Sequence, residues 1–332
     1  MLLGLNKLIL GANATSDNGT VVFTGPSVIA ITTDLKTIQK LPQSEGVNWT
    51  CLTDTPTGGV LAFGKGIYST SENGTDWYPG SFTDATFEPT CAFTLNSTYR
   101  IYDGDRVIVA QKYMGRPNNW NTEADLAVAL AFVPSSPTVL MSSNSVSNVS
   151  NYIYASSDFG ESFTRMGNTG NFPQTGIATD GANHACVSTS GRMWHLLTSS
   201  ATVNPSAIDG SADVVTKHFS SVAYGKGKFV ACGHDLTSGE GLIVTGNSTG
   251  NSFVTKHIMS GVHWTRIKYA NGIWVVIGET KMAISHDAEQ WNIIETGVPF
   301  TDLLTIKNKW TVSPPDPAPL TNELIVNYKV GS

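Results

Sequence analysis

His263-Trp264-Thr265-Arg266-Ile267-Lys268-Tyr269, Asn271-Gly272, Ile273-Trp274-Val275-Val276-Ile277-Gly278 and Met282-Ala283-Ile284-Ser285-His286-Asp287, closing at Trp291, form the stretch that decides the fold. Its short apolar runs are rich in β-branched and aromatic residues and are cut by turn residues, the signature of strands. Asn-Gly between two such runs predicts a hairpin, because both residues tolerate positive φ. The unit reads as a strand from His263, a tight turn, a strand, a short loop, a third strand, a turn and a fourth strand.

The second half of this unit recurs. VVFTGPSVIAITTDLKTI (21–38), LAFGKGIYSTSENGTDW (61–77) and YIYASSDFGESF (152–163) align with it, as do FVACGHD (229–235) and LIVTGNSTGNSF (242–253). The last apolar residue of each copy gives a ruler at Ile38, Trp77, Phe163, Phe253 and Trp291, with missing marks assigned to Trp120 and Ile208. The mean step is about 42 residues, the length of a four-stranded propeller blade. A single such sheet cannot bury both faces, whereas a closed ring of them can. The expected fold is all-β, a β-propeller of seven four-stranded blades, with eight as the alternative count.

Residues 1–300 are read as the propeller and 301–332 as C-terminal strands with a Pro-rich tail. Thr301–Val312 resembles the opening of another blade, Ser313–Pro319 is a Pro-rich link, and Asn322–Val330 reads as a strand. This segment either closes the ring against the N-terminal strand, begins an eighth blade or reaches a partner. Leu126–Phe132 is read as an inner strand, and Ser142–Asn151 as a long polar loop. Met1–Ala14 has a signal-like end at Ala12-Asn13-Ala14, but Asn6 and Lys7 split its apolar run, so it is read as structure.

Composition narrows the function. Of 332 residues, 14% are charged and 32 are Gly, which disfavours long helices and favours tight turns. Net charge is −6 with only 20 Lys+Arg, leaving no basic stripe to follow a phosphate backbone. Nucleic acid is therefore not expected as a partner. No apolar run reaches the length of a bilayer span, so membrane insertion is not expected either. Four dispersed cysteines do not make a disulfide framework. The Asn-x-Ser/Thr sequons read as by-products of polar turns.

The turn after the third strand carries a pattern. Ser156, Asp158, Gly160 and Phe163 give S-x-D-x-G-x-x-F. Shorter forms run from Thr32 through Asp34 to Ile38, from Ser71 through Asn73 to Trp77, and from Ser285 through Asp287 to Trp291. The pattern resembles the Asp-box, or bacterial-neuraminidase repeat, over roughly residues 15–297. In such a turn the Asp or Asn accepts backbone N–H groups, the Gly adopts a conformation closed to other residues, and the aromatic packs between blades. The expected role of Asp34, Asn73, Trp77, Ser156, Asp158, Gly160, Phe163, Ser285, Asp287 and Trp291 is thus structural. Propellers with this repeat include sialidases, other glycosidases, sorting receptors, photosystem assembly factors and bacteriophage tail and virion proteins. The loose form here is most similar to the phage and bacterial versions.

Each of those activities needs its own chemistry. A sialidase needs three converging arginines, and the chain has six: Arg100, Arg106, Arg116, Arg165, Arg192 and Arg266. A carboxylate-pair glycosidase needs two acids on one cleft, and several acids are already assigned to turns. His184-Ala185-Cys186 and Cys232-Gly233-His234 place His and Cys on one face of a strand, but the cysteines read as buried small hydrophobes, so no metal and no cofactor is expected. The binding candidate is Tyr113, Arg116, Asn118, Asn119 and Trp120, where aromatic and amide groups suit a sugar. The same stretch also reads as a degenerate hairpin whose Trp120 packs between blades. The resemblance and the missing catalytic constellation imply a non-enzymatic bacteriophage virion propeller, structural or host-receptor (glycan) binding, in the tail or on the particle surface. Its partners would be other virion proteins and host-surface carbohydrate. The alternatives are a bacterial glycan- or protein-binding or assembly module, and a glycosidase of sialidase-like fold.

Overall fold

The computed structural model describes residues 20–41, 46–55, 58–82, 84–95, 98–103, 106–109, 112–115, 125–132, 138–145, 151–158, 162–197, 202–211 and 215–306. The regular elements among them are β-strands, arranged as seven sheets. Each sheet is one blade, its strands running in order from the innermost outwards. Blade one is Asp302–Ile306, Thr20–Gly25, Val28–Thr32 and Gln39–Leu41. Blade two is Trp49–Asp54, Val60–Gly64, Ile67–Ser71 and Tyr78–Ser81. Blade three is Cys91–Leu95, Thr98–Asp103, Arg106–Val109 and Lys112–Gly115. Blade four is Asp125–Phe132, Val139–Ser145, Asn151–Ser156 and Thr164–Gly170. Blade five is Gln174–Thr179, Asn183–Ser188, Met193–Leu197 and Asn204–Pro205. Blade six is Lys217–Gly225, Lys228–Asp235, Gly241–Gly246 and Ser252–Met259, with Ala207–Ile208 added in parallel outside. Blade seven is Arg266–Ala270, Ile273–Gly278, Lys281–Ser285 and Asn292–Glu295.

Blade seven shows why these runs are apolar throughout rather than alternating with polar residues. Ile273, Val275 and Ile277 face blade one, while Trp274 and Val276 face blade six. Side chains still alternate with period two, but both faces are buried. Seven apolar clusters among the described residues each fill one seam, and the last joins blade seven to blade one. Blade one draws on both ends of the chain: Val22 pairs with Leu304, and Thr24 with Asp302. The Asn271-Gly272 turn has both residues at positive φ, 51° and 81°. In blades one, two and seven the second strand ends in Gly because the loop leading into the neighbouring inner strand crosses there. A Cβ on Gly278 would lie 2.3 Å from the His263 carbonyl oxygen, and one on Gly25 the same distance from that of Pro299.

In blades one, two, four and seven the turn after the third strand is closed by its own side chains. Asp34 Oδ1 accepts the N–H groups of Lys36 and Thr37, both at 2.8 Å. Asn73 Oδ1 accepts from Thr75 and Asp76 at 2.9 and 2.8 Å, and Asp287 Oδ1 from Glu289 and Gln290 at 2.8 and 2.9 Å. In the longer form Asp158 Oδ1 accepts from Ser162 N–H at 2.9 Å. The donated bonds from Thr37 and Lys36 pull the Asp34 carboxyl down to about 2. The residue after the acid adopts positive φ, and it is Leu35, Gly74 or Ala288. Gly is therefore not required at that position: Leu35 and Ala288 offset the strain by burying their side chains in seams. Gly160 lies outside the described residues.

Several readings need correction. The inner strand of blade seven begins at Arg266, because His263–Thr265 form the loop that crosses Gly278. Ser142–Ser145 belong to a strand, not a loop, with Ser142 opposite Ala129 and Ile153. Ile208 does not mark blade five. It pairs with Phe253 of blade six, and Val203, packed on the seam between blades four and five, takes the equivalent place. Leu126–Phe132 is the inner strand expected, lengthened by Asp125.

Candidate functional site

The inner strands converge on a central cavity of about 290 Å³. Each inner strand is paired on one side only, so the edge facing the cavity carries unpaired backbone groups. Hydroxyls at the strand starts satisfy part of this edge. Thr301 donates to the Thr24 carbonyl of its own blade at 3.0 Å and to that of Trp49 in blade two at 2.9 Å. Thr50 donates to Phe63 at 3.1 Å within blade two and to Pro89, before blade three, at 2.7 Å. Thr175 donates to Val187 at 3.3 Å and to Phe219 of blade six at 2.5 Å. Thr90 and Thr265 make the within-blade half of the pattern, to Tyr102 and Ile277. Thr50 and Thr175 are each the extra residue of a β-bulge, which frees the hydroxyl to reach two carbonyls. In blade four the bulge falls on Val128, which carries no hydroxyl.

The residue after each of these threonines lines the cavity, namely Asp302, Cys51, Gly176, Cys91 and Arg266, and Ser221 of blade six lines it too. Asp302 is almost fully buried. Its Oδ2 accepts the Leu52 N–H at 3.0 Å, while Oδ1 lies 3.4 Å from Arg266 Nε and 3.8 Å from Lys268 Nζ. Asp302 Oδ1 and Arg266 Nε have no well-formed hydrogen bond, so this is a charge cluster rather than a closed network. Burial, then the Asp302 charge, pushes the Cys51 thiol well up. Burial raises Cys91 to about 12. Both are protonated thiols at neutral pH, poor nucleophiles and poor metal ligands. Asp302 is the one carboxylate among the lining residues described. The site thus presents two cations over a buried acid, with Ser221 on the same wall: a lining suited to holding a polar guest.

Of the candidate binding residues, Tyr113 lies on the outer strand of blade three. Its side chain, and Arg116, Asn118, Asn119 and Trp120 entirely, lie outside the described residues. Trp77 and Phe163 are buried in the seams before their blades, and Trp291 is packed against one. Ser156, Asp158, Ser285 and Asp287 close the turns as described. The described arginines occupy separate places. Arg165 on blade four lies 3.5 Å over Tyr152, Arg192 on blade five 4.3 Å over Phe172, and Arg266 lines the cavity. Cys186 Sγ donates to Gln174 Oε1 at 3.0 Å, and His184 Nδ1 shares a bond with Thr179 Oγ1 at 2.8 Å. No grouping suited to a metal ion occurs among the described residues.

The cavity residues escaped the sequence reading. A signal existed in the pairs Trp49-Thr50, Pro89-Thr90, Phe219-Ser220, Trp264-Thr265 and Phe300-Thr301, an apolar residue followed by a hydroxyl at five of the blade starts.

The fold defines the class: the chain is a β-propeller. It is similar over 84% of its length to 92% of virginiamycin B lyase from Staphylococcus aureus, at 13% identity and a TM-score of 0.60. It is similar over 81% to 94% of YCF48 bound to D1 peptide, at 12% and 0.57. It is similar over 85% to 88% of the RRP9 WD40 repeats, at 9% and 0.58. No family model and no curated protein matches the sequence. At these identities the likeness carries the fold alone.

Proposed function

We propose that this chain is a non-enzymatic propeller of a bacteriophage particle, structural or binding host-surface glycan, in the tail or on the particle surface. The observation that carries the non-catalytic part is the cavity. Its described lining has one carboxylate, tied to Leu52 and Arg266, whereas glycoside hydrolysis by the usual route uses two. The phage assignment rests on the form of the turn motif, loose and similar to that of Asp-box propellers in virions. A bacterial protein-binding or assembly module is the second reading, favoured by the likeness to a propeller captured with a peptide.

The test is to fractionate the native source on a density gradient and follow this chain by mass spectrometry. Co-sedimentation with particles at a fixed copy number is the expected result. A chain confined to the soluble fractions overturns the particle assignment, and glycan cleavage by the purified protein overturns the non-enzymatic one.

A further inference from the structure

Three imidazoles stack across the seam between blades six and seven. His218 and His234 are register partners on neighbouring strands of blade six, with ring centroids 4.6 Å apart and planes 22° off parallel. His263, in the loop leading into blade seven, covers the other face of His234 at 4.1 Å and 18°. His234 is the middle ring, and its Nδ1 is buried without a hydrogen-bond partner. Glu279, in the turn of blade seven, accepts the His263 N–H at 3.2 Å and lies 3.8 Å from its Nδ1. Trp264, the next residue, is fully buried in the same seam. The loop is thus held to blade six by a tryptophan and by the stack.

We propose that this stack is a proton-operated clasp: neutral imidazoles hold the loop of blade seven on blade six, and charging more than one of them releases it. Neutral rings at these separations attract by dispersion, whereas two imidazolium ions repel through a partly buried seam. The charged groups nearby do not cancel that repulsion. Glu279 sits at the outer end, against His263, and Asp235 adjoins His234; these are the carboxylates acting on the middle ring. The charged form of His218 is opposed by burial and by His263. The adjacent cations are engaged elsewhere: Lys217 with Asp209, Lys281 with Glu295 and Arg266 with Asp302.

The sign follows from linkage. Burial, then the neighbouring imidazoles, holds His218 and His234 below the ordinary histidine value of 6.5. Below that pH the unfolded or released state binds more protons than the clasped one. Attachment of the loop is therefore full above it and lost as pH falls.

The test is hydrogen exchange of the whole chain at about pH 7 and about pH 5, corrected for intrinsic rates, comparing residues 260–266 with the corresponding loop 296–301. Protection of 260–266 is expected to fall roughly tenfold or more on acidification, and that of 296–301 less than about threefold. His234→Gln is expected to bring the first figure down to the second, with His263→Gln as the second variant should the first not fold. Equal loss in both loops, or an undiminished loss in the folded variant, overturns the proposal. So does unchanged protection of 260–266 in the wild type.

Discussion

The turns on the outer side of the blades and the ring of hydroxyls on the inner side do the same job by different routes. Both satisfy backbone groups that the sheets leave unpaired. In the outer turns the partners are two to four residues apart, as in Asp34 with Lys36 and Thr37 and Asp158 with Ser162. In the inner ring they are 39 residues apart for Thr50 and Pro89, and 252 for Thr301 and Trp49. An outer turn therefore stabilises one blade, while the hydroxyls of Thr50, Thr175 and Thr301 each couple two. The contrast teaches where the ring is closed: at its centre, between blades, and not at its rim.

Asp302→Ala should have the largest effect. It removes the acceptor of Leu52 N–H and strands Arg266 at the cavity wall, and breaking such a buried pair costs about 3 kcal/mol or more. Asp302→Asn keeps an acceptor for Leu52 and should lose roughly half as much. Urea unfolding followed by tryptophan fluorescence checks both. Equal effects would mean that the bridge to blade two contributes nothing beyond the charge.

Thr50→Val comes next. It keeps the shape and removes the one hydroxyl proton shared between the Phe63 and Pro89 carbonyls, for about 1–2 kcal/mol. If Thr50→Val costs no more than a surface substitution, the hydroxyl ring is incidental to stability.

Asn73→Ala should be smallest. It frees the N–H groups of Thr75 and Asp76 at an exposed turn, where water replaces the lost acceptor, for about 0.5–1 kcal/mol. An effect larger than that of Thr50→Val would reverse the comparison.

The same contrast decides what was legible in the sequence. Asp34, Asn73, Asp158 and Asp287 stood out because their partners lie within the motif itself. The Asn271-Gly272 hairpin was legible for the same reason. Ile208 was misplaced because the short outer strand of blade five is followed at once by a strand that joins blade six, so the ruler slipped by a few residues. Ser142–Ser145 looked like loop because the pattern expected apolar residues on buried strands, whereas Ser142 is buried as a polar residue. Asp302, Arg266 and Lys268 gave no local signal: Asp302 lies 250 residues from Leu52, the group it bonds. Only the closed ring brings them together. The reading of function through Tyr113, Arg116, Asn118, Asn119 and Trp120 rests on sequence alone.

Hydrogen exchange on the wild type, Thr50→Val and Asn73→Ala tests this division most directly. Thr50→Val is predicted to loosen the inner strands of both blade two and blade three, Trp49–Asp54 and Cys91–Leu95, while Asn73→Ala loosens residues 71–77 alone. Faster exchange in blade three on breaking the outer turn, or a Thr50→Val effect that stops at blade two, would contradict the account.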